Sequence, residues 1–312
     1  MAQGAGNEPP LMVVTDPQTK NEYRIRDVIG TSNGATVYQA DESYESNKAT
    51  AVAVKILNIK NKDERYWDLK HDILNSKSLP HHPNVVEIKA SFSVDDNLCV
   101  VMPFMSFGSL QSLISSRFRN GFSEDCIAII LTETLKGVAH IHRNRDIHKH
   151  IDARNICLCE SSAIKLAFAA AEYDHGQNHT TTALPNLCNW PAPEVQGCCT
   201  TMSDIWLVGI TALQLAFGLR VSTRQGMAGM IKMYRKDQDE RTQKVGLDLT
   251  QEQLDEQFEE RKLPRSFQDM VGKCLGQEQL DRPTARELLK HDFFKNRGDV
   301  HWFFNAINRK RM

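Results

Sequence analysis

The chain has 312 residues, 41% of them hydrophobic and 25% charged, which fits a globular protein of one large domain or two lobes and excludes a disordered or fibrous chain. With 38 lysines and arginines against 39 aspartates and glutamates the formal charge is −1, a balance that suggests neither a general nucleic-acid surface nor an acidic substrate. The eight cysteines lack the spacing of zinc sites or disulfide scaffolds, no apolar run approaches the roughly 20 residues of a membrane span, and residues 1–18 lack a signal-peptide core, so a soluble cytoplasmic protein with reduced thiols and no membrane partner is expected.

Residues 1–20 carry Gly4, Gly6, Pro9, Pro10 and Pro17 with little periodicity and predict a flexible lead-in. Residues 23–29 alternate apolar and polar, residues 35–39 and 50–57 are rich in β-formers, and Asn33-Gly34 is a strong hairpin turn, so three consecutive antiparallel strands are expected. From 62 to 79, Tyr66, Leu69, Ile73 and Leu74 recur at helical spacing, and His82-Pro83-Asn84 ends the run. Residues 85–92 and 97–103 read as two more strands, separated by the polar turn at Asp95 and Asp96.

After Gly108 the pattern becomes helical. Residues 110–117 are short, whereas 124–143 carry an apolar stripe through Ile127, Ile130, Leu131, Leu135, Val138 and Ile141, its start marked by Ser123 and the acids that follow. Residues 205–217 predict a buried helix, and 267–275 and 285–291 shorter ones. Residues 222–262, rich in Gln, Lys, Asp and Glu, predict exposed helices or a mobile insert. The expected fold class is α+β: a five-stranded antiparallel sheet with one helix in a first lobe (21–103), a connection at 103–108, a mainly helical second lobe (109–295) and a tail at 296–312.

Several stretches carry chemistry-bearing residues. In Ile29-Gly30-Thr31-Ser32-Asn33-Gly34-Ala35-Thr36-Val37-Tyr38 the glycines permit close approach of backbone to a phosphate, or merely a hairpin turn. In Val52-Ala53-Val54-Lys55 the alternation turns a lysine into a cleft with its charge partly desolvated; the plainer reading is a solvated lysine on a strand edge. The run from Leu98 to Leu110 is a core strand followed by a loop, with or without a ligand. Between the long helix and a short β-like run at 164–167 lies His148-Lys149-His150-Ile151-Asp152-Ala153-Arg154-Asn155-Ile156.

In this order these stretches resemble the signatures of protein kinases over residues 23–294. The first resembles the glycine-rich loop G-x-G-x-x-G-x-V, with Ser32 and Ala35 replacing glycines, and the second the V-A-I-K strand. The third resembles the hinge of Sterile-20-like kinases and the fourth the catalytic loop H-R-D-L-K-x-x-N. Ile164-Lys165-Leu166-Ala167-Phe168-Ala169-Ala170 aligns with I-K-L-A-D-F-G, Ala192-Pro193-Glu194 with A-P-E, and Asp204-Ile205-Trp206-Leu207-Val208-Gly209-Ile210 with D-I-W-S-x-G-I. Asp281-Arg282-Pro283-Thr284-Ala285 resembles the end of the same lobe. Within the family the resemblance is to the Sterile-20 or germinal-centre group, a plant member among the candidates.

The resemblance implies a two-lobed kinase fold in which Gly30, Val37, Ala53, Lys55, Met102, Phe104, Met105 and Asn155 border an ATP pocket. Lys55 would hold the α and β phosphates and pair with Asp72, one methylene shorter than the family's glutamate. Glu194 and Arg282 would form a buried ion pair, and Asp204 would tie the catalytic loop to the helix that follows. The same resemblance implies no competent catalytic residue. His150 stands at the base position, where a neutral histidine brings no negative charge and Lys149 disfavours its protonation. Asp152 reverses the charge of the catalytic-loop lysine, and Phe168 stands at the metal-binding aspartate, where an aromatic ring cannot coordinate a hard cation. A relocated role for Asp152, as ligand or base, stays open.

The segment Asn186-Leu187-Cys188-Asn189-Trp190-Pro191 replaces the usual G-T-P-x-W-M, and Thr180, Thr181 and Thr182 are candidate phosphosites or simply a polar loop. What the resemblance implies is a pseudokinase: a regulatory module for a protein partner, an active kinase or a scaffold protein, with ATP bound weakly and without Mg²⁺ or not at all. The alternative is a divergent serine/threonine kinase using Asp152 and Asn155. The tail Asp299-Val300-His301-Trp302-Phe303-Phe304, beside Arg309-Lys310-Arg311, resembles loosely the Trp-x-Phe element by which STRAD-type pseudokinases bind a helical scaffold; otherwise it is a last helix packing its aromatics on the lobe.

Overall fold

In the computed structural model the described residues are 12–32, 35–43, 50–59, 67, 70, 73–74, 76–159, 161, 163–168, 192–196, 199–221, 224–234, 261, 263–295 and 297–309. They fall into two compact units: one takes in the residues up to His81 together with Val86–Ser106 and Phe168, the other His82–Val85, Phe107–Ala167 and the later chain.

The first unit is an antiparallel sheet of β1 (Met12–Thr15), β2 (Glu22–Ser32), β3 (Ala35–Ser43), β4 (Thr50–Asn58), β5 (Ala90–Val94) and β6 (Asn97–Pro103), in the order β1-β2-β3-β4-β6-β5. Six strands rather than five form because part of the expected flexible lead-in is a strand. Val14 is buried between exposed neighbours, and the Asp16 carboxylate closes the turn by accepting from the Gln18 and Thr19 amides and the Thr19 hydroxyl. Although burial alone would raise it, these bonds hold the Asp16 carboxyl below its ordinary value.

Each face of the sheet buries its own apolar set, because directly paired residues share a face and successive residues alternate. One face packs Val14, Tyr23, Ile25, Ala40, Val52, Val54, Phe92, Cys99 and Val101, with Tyr23 stacked on Phe92. The other packs Ala35, Leu57, Ile59, Leu98 and Val100 with Ile73, which belongs to the helical residues among 67–78.

The strand expected at 85–92 begins only at Ala90. The preceding residues are held elsewhere: the Asn84 amide donates to Ile164 O and Glu133, the Leu166 amide donates to Asn84 O, and Val85 makes a lone parallel bridge to Leu166. Gly137 makes this possible, since a Cβ there would lie 2.8 Å from Asn84 O.

The second unit contains β7 (Gly108–Ser109), α1 (Leu110–Ser116), α2 (Glu124–Arg143), β8 (Ile156–Cys159), β9 (Ala163–Leu166), α3 (Thr201–Phe217), α4 (Arg224–Tyr234), α5 (Arg265–Cys274), α6 (Ala285–Leu288) and α7 (Val300–Arg309). Helix α2 has the expected bounds and buries its whole predicted stripe. Helix α3 starts four residues before the expected 205 because Thr200 and Ser203 form a reciprocal capping box. Helix α6 is shorter than expected and is followed by a single turn at Asp292–Phe294.

Part of the stretch expected to be exposed or mobile is a packed helix. Met227, Met230, Ile231 and Tyr234 of α4 are buried, Tyr234 against Phe217 and Phe267. Among the described residues the cysteines are free thiols. Cys99, Cys126 and Cys274 are buried, and burial pushes the thiols of Cys99 and Cys274 up to about 11 and about 12. No helix among the described residues is long and apolar enough to cross a membrane.

Candidate functional site

In the sheet, Gly30 pairs with Val37, Val37 with Lys55, Lys55 with Val100, and Ala53 with Met102. Pairing and alternation therefore place Gly30, Val37, Ala53, Lys55, Val100 and Met102 on one face. Space is open at Gly30, where a Cβ would meet only Val37 at 3.9 Å. Lys55 and Met102 are half-buried, as are Phe104 and Met105 just past the end of β6. Lys55 thus shares a sheet face with small and apolar side chains. Asp72, Asn33-Gly34, Thr180 to Thr182 and the segment 186–191 lie outside the described residues.

The second constellation is the loop between α2 and β8. Asp204, in the first turn of α3, is fully buried and accepts from the backbone amides of His148 (2.8 Å) and Lys149 (2.7 Å) while lying 2.8 Å from His142 Nε2. Those bonds hold Lys149 at φ +67°, a left-handed conformation that costs a non-glycine residue free energy. His148 is buried: its Nδ1 accepts from the His150 amide and its Nε2 lies 3.0 Å from Ala167 O. Burial pushes its pKa down to about 4 despite the opposing field of Asp204, so the ring is neutral, with the proton on Nε2 directed at the carbonyl.

Asp152 closes the loop from inside. Its Oδ1 accepts from the amides of Arg154 and Asn155 at 2.8 and 3.1 Å, and its Oδ2 from Arg154 Nη2 and Nε at 2.6 and 3.1 Å. Asp152 is 3% exposed. Asn155 donates its side-chain Nδ2 to His150 O at 2.9 Å, and its backbone carbonyl accepts the amide of Ala167. The structure therefore brings His150, Asp152 and Asn155 into one bonded loop, with Phe168 half-buried just beyond Ala167.

This donor set does not fit Mg²⁺. A hard dication takes several oxygen ligands, but both oxygens of Asp152 already accept from N–H donors. Among the described residues no group of three or more His, Cys, Asp or Glu could hold a metal ion.

The scaffold residues sit together. Arg282 donates to Glu194 at 2.7 and 2.9 Å and to the carbonyls of Gly276 and Met202, and lies over the Trp206 ring. Burial would raise the Glu194 carboxyl, but the bonds from Arg282 outweigh it and hold the group below its ordinary value. Sequence reasoning missed Arg154, whose position two residues after a buried aspartate is the available signal. It also missed Gln214, which accepts from the Ala153 amide and donates to Gln111; a glutamine inside an otherwise apolar helix could have marked it.

A family model described as protein kinase domain matches residues 23–294. The chain is 31% identical over 286 residues to the serine/threonine-protein kinase fray2 of Dictyostelium discoideum, covering 89% of this chain and 26% of that protein. Identity to germinal center kinase 3 of Caenorhabditis elegans is 30% over 314 residues, covering 93% and 50%, and to serine/threonine-protein kinase 1 of Arabidopsis thaliana 29% over 289 residues, covering 91% and 32%. The chain thus spans at most half the length of these relatives.

Proposed function

Since the chain belongs to the protein kinase domain family, with Sterile-20 and germinal-centre kinases among its relatives, we propose that it is a pseudokinase of that group: a regulatory module for a protein partner, an active kinase or a scaffold protein. The observation that carries this reading is the state of Asp152. It is the one carboxylate the loop offers in place of those the family uses, and Arg154 and two amides occupy it. Phosphoryl transfer depends on positioned charge and bridging metal, and with His150 and Phe168 at the other two positions little of that remains. The loss is non-additive, but several cooperating groups are altered at once.

Nucleotide binding is a separate matter. Lys55 with Val37, Ala53 and Met102 on one sheet face supports weak binding of ATP that does not depend on Mg²⁺, with Lys55 taking the phosphates and the linker residues Phe104 and Met105 the base.

The second reading is a divergent serine/threonine kinase. It is favoured by the names of the relatives, serine/threonine-protein kinases of Dictyostelium and Arabidopsis, and by the retained Asn155. The test is a thermal-shift titration of the chain with ATP, with and without Mg²⁺, alongside Lys55→Ala and Phe168→Asp, because a ligand of the native state raises its stability by mass action. The expected result is a small shift or none, indifferent to Mg²⁺ in the native chain. A shift that needs Mg²⁺ and vanishes in Lys55→Ala would overturn the pseudokinase reading in favour of the enzyme.

A further inference from the structure

The C-terminal aromatics are engaged within the chain. Phe303, Phe304 and Ile307 of α7 are buried, while Trp302 on the same helix is 44% exposed. Phe304 meets Phe107 edge to face, centroids 5.6 Å apart. Three residues further on, Ile307 O accepts from Arg117 Nη1 at 3.2 Å. The entry to α7 is fixed as well: Arg297 pairs with Asp125 in the first turn of α2 at 2.6 Å, and Asp299 accepts from the Trp302 amide.

Phe107 and Arg117 flank one stretch, β7 with α1, whose first part, 107–111, is bonded to the end of the central loop and to β8. The Phe107 amide donates to Leu158 O, Gly108 and Ser109 pair with Leu158 and Cys157, and the Gln111 amide donates to Ala153 O. Gln214 completes the connection, donating to the Gln111 side chain and accepting from the Ala153 amide. Helix α7 therefore holds both ends of the element against which the loop of Asp152 and Asn155 is hydrogen-bonded.

We propose that α7 is a conformational latch on the central loop, clamping residues 107–117 at Phe107 and Arg117 so that release of α7 loosens residues 107–111 and 153–158 together. Elements can open locally with less free energy than the whole core, and a partner that displaced α7 would break its contacts with Phe107 and Arg117 together. A protein that took up the Phe303 and Phe304 side of the helix would have to break the contact with Phe107 first. The latch does not rest on nucleotide binding or on the loss of phosphoryl transfer.

Amide hydrogen exchange on the full chain tests it, comparing the native protein with Phe304→Ala, Arg117→Gln and Trp302→Ala. Phe304→Ala is expected to speed exchange in 107–111 and 153–158 on the order of tenfold with residues 205–215 of α3 unchanged. Arg117→Gln, which makes no cavity, should act on the same two segments about threefold, and Trp302→Ala on neither. Acceleration confined to α7 itself, or spread equally into α3, in Arg117→Gln as in Phe304→Ala would overturn the latch. Should Phe304→Ala fail to fold, Arg117→Gln decides alone.

Discussion

Asp204 and Asp152 are both buried carboxylates of the helical unit, and both serve the same loop from opposite sides. Asp204 reaches in from α3 and orders the loop's start, accepting the amides of His148 and Lys149. Asp152 orders the loop's end through Arg154 and Asn155. On the proposed reading the first is inherited scaffold and the second puts structure where the family has chemistry; what the bonds themselves give is that Arg154, two residues away, pairs with the Asp152 carboxylate. A loop can therefore keep its shape while its charges are reassigned, because shape depends on backbone amides finding acceptors and phosphoryl transfer depends on charges standing unpaired at the right place.

Removing the inherited side should cost most. Asp204→Ala leaves the buried His148 amide, the part-buried Lys149 amide and His142 without their acceptor, each worth about 1–3 kcal/mol when orphaned, so urea unfolding should show a loss of about 4 kcal/mol. A loss under about 1 kcal/mol would mean that the loop is held by Asp152 alone. Next comes the other scaffold pair. Glu194→Gln strands Arg282, whose side chain is fully buried, and should cost about 3 kcal/mol, the lower end for a broken buried pair because Glu194 is partly exposed. The Glu194 carboxyl is held below its ordinary value, so its contribution is present above the unfolded value of 4.5 and lost as pH falls through the folded one.

His148 gives the comparison its own pH window. The ring is buried neutral and its pKa lies at about 4 against 6.5 in the unfolded chain. The unfolded state thus binds the proton first, and stability that is complete above pH 6.5 declines as pH falls toward 4. At about 1.4 kcal/mol per unit this amounts to about 3 kcal/mol. Denaturation curves of the native chain and of His148→Gln should converge across that window. Parallel curves would show that the histidine is not what titrates.

Much of this molecule was legible in the sequence, and the residues that escaped did so for identifiable reasons. Helix α2 declares itself through one apolar stripe and β2 through its alternation, while β4 and β6 are marked by their β-formers and the turn at Asp95 and Asp96. The short strand β1 was hidden by composition: prolines and glycines around it mask four residues whose stability comes from pairing with β2 and from the Asp16 turn. The segment 85–89 looked like strand because Val85, Val86 and Ile88 are β-formers, but Asn84 anchors its start to β9 and α2, and tertiary bonds override propensity. At the loop, the motif located His150, Asp152 and Asn155, yet only geometry shows that Arg154 occupies Asp152. Two residues apart in sequence, the side chains could equally have pointed away from each other.

The smallest expected effects separate the two functions of Asp152, because its two oxygens have different partners. Oδ1 takes the amides of Arg154 and Asn155, and Oδ2 takes the Arg154 guanidinium. Asp152→Ala removes both and should cost about 2 kcal/mol, chiefly from two backbone donors left unpaired at a buried turn. Asp152→Asn can keep the amide acceptor and loses only the ion pair. Arg154 is about one-third exposed, so solvent screens that pair and the cost should be about 0.5–1 kcal/mol. If Asn costs as much as Ala, the guanidinium and not the turn holds the loop's end, and the likeness to Asp204, which works through backbone amides, fails. If Asn is nearly neutral while Ala is not, the charge at 152 is dispensable to the fold and the turn's two amides are what the side chain serves.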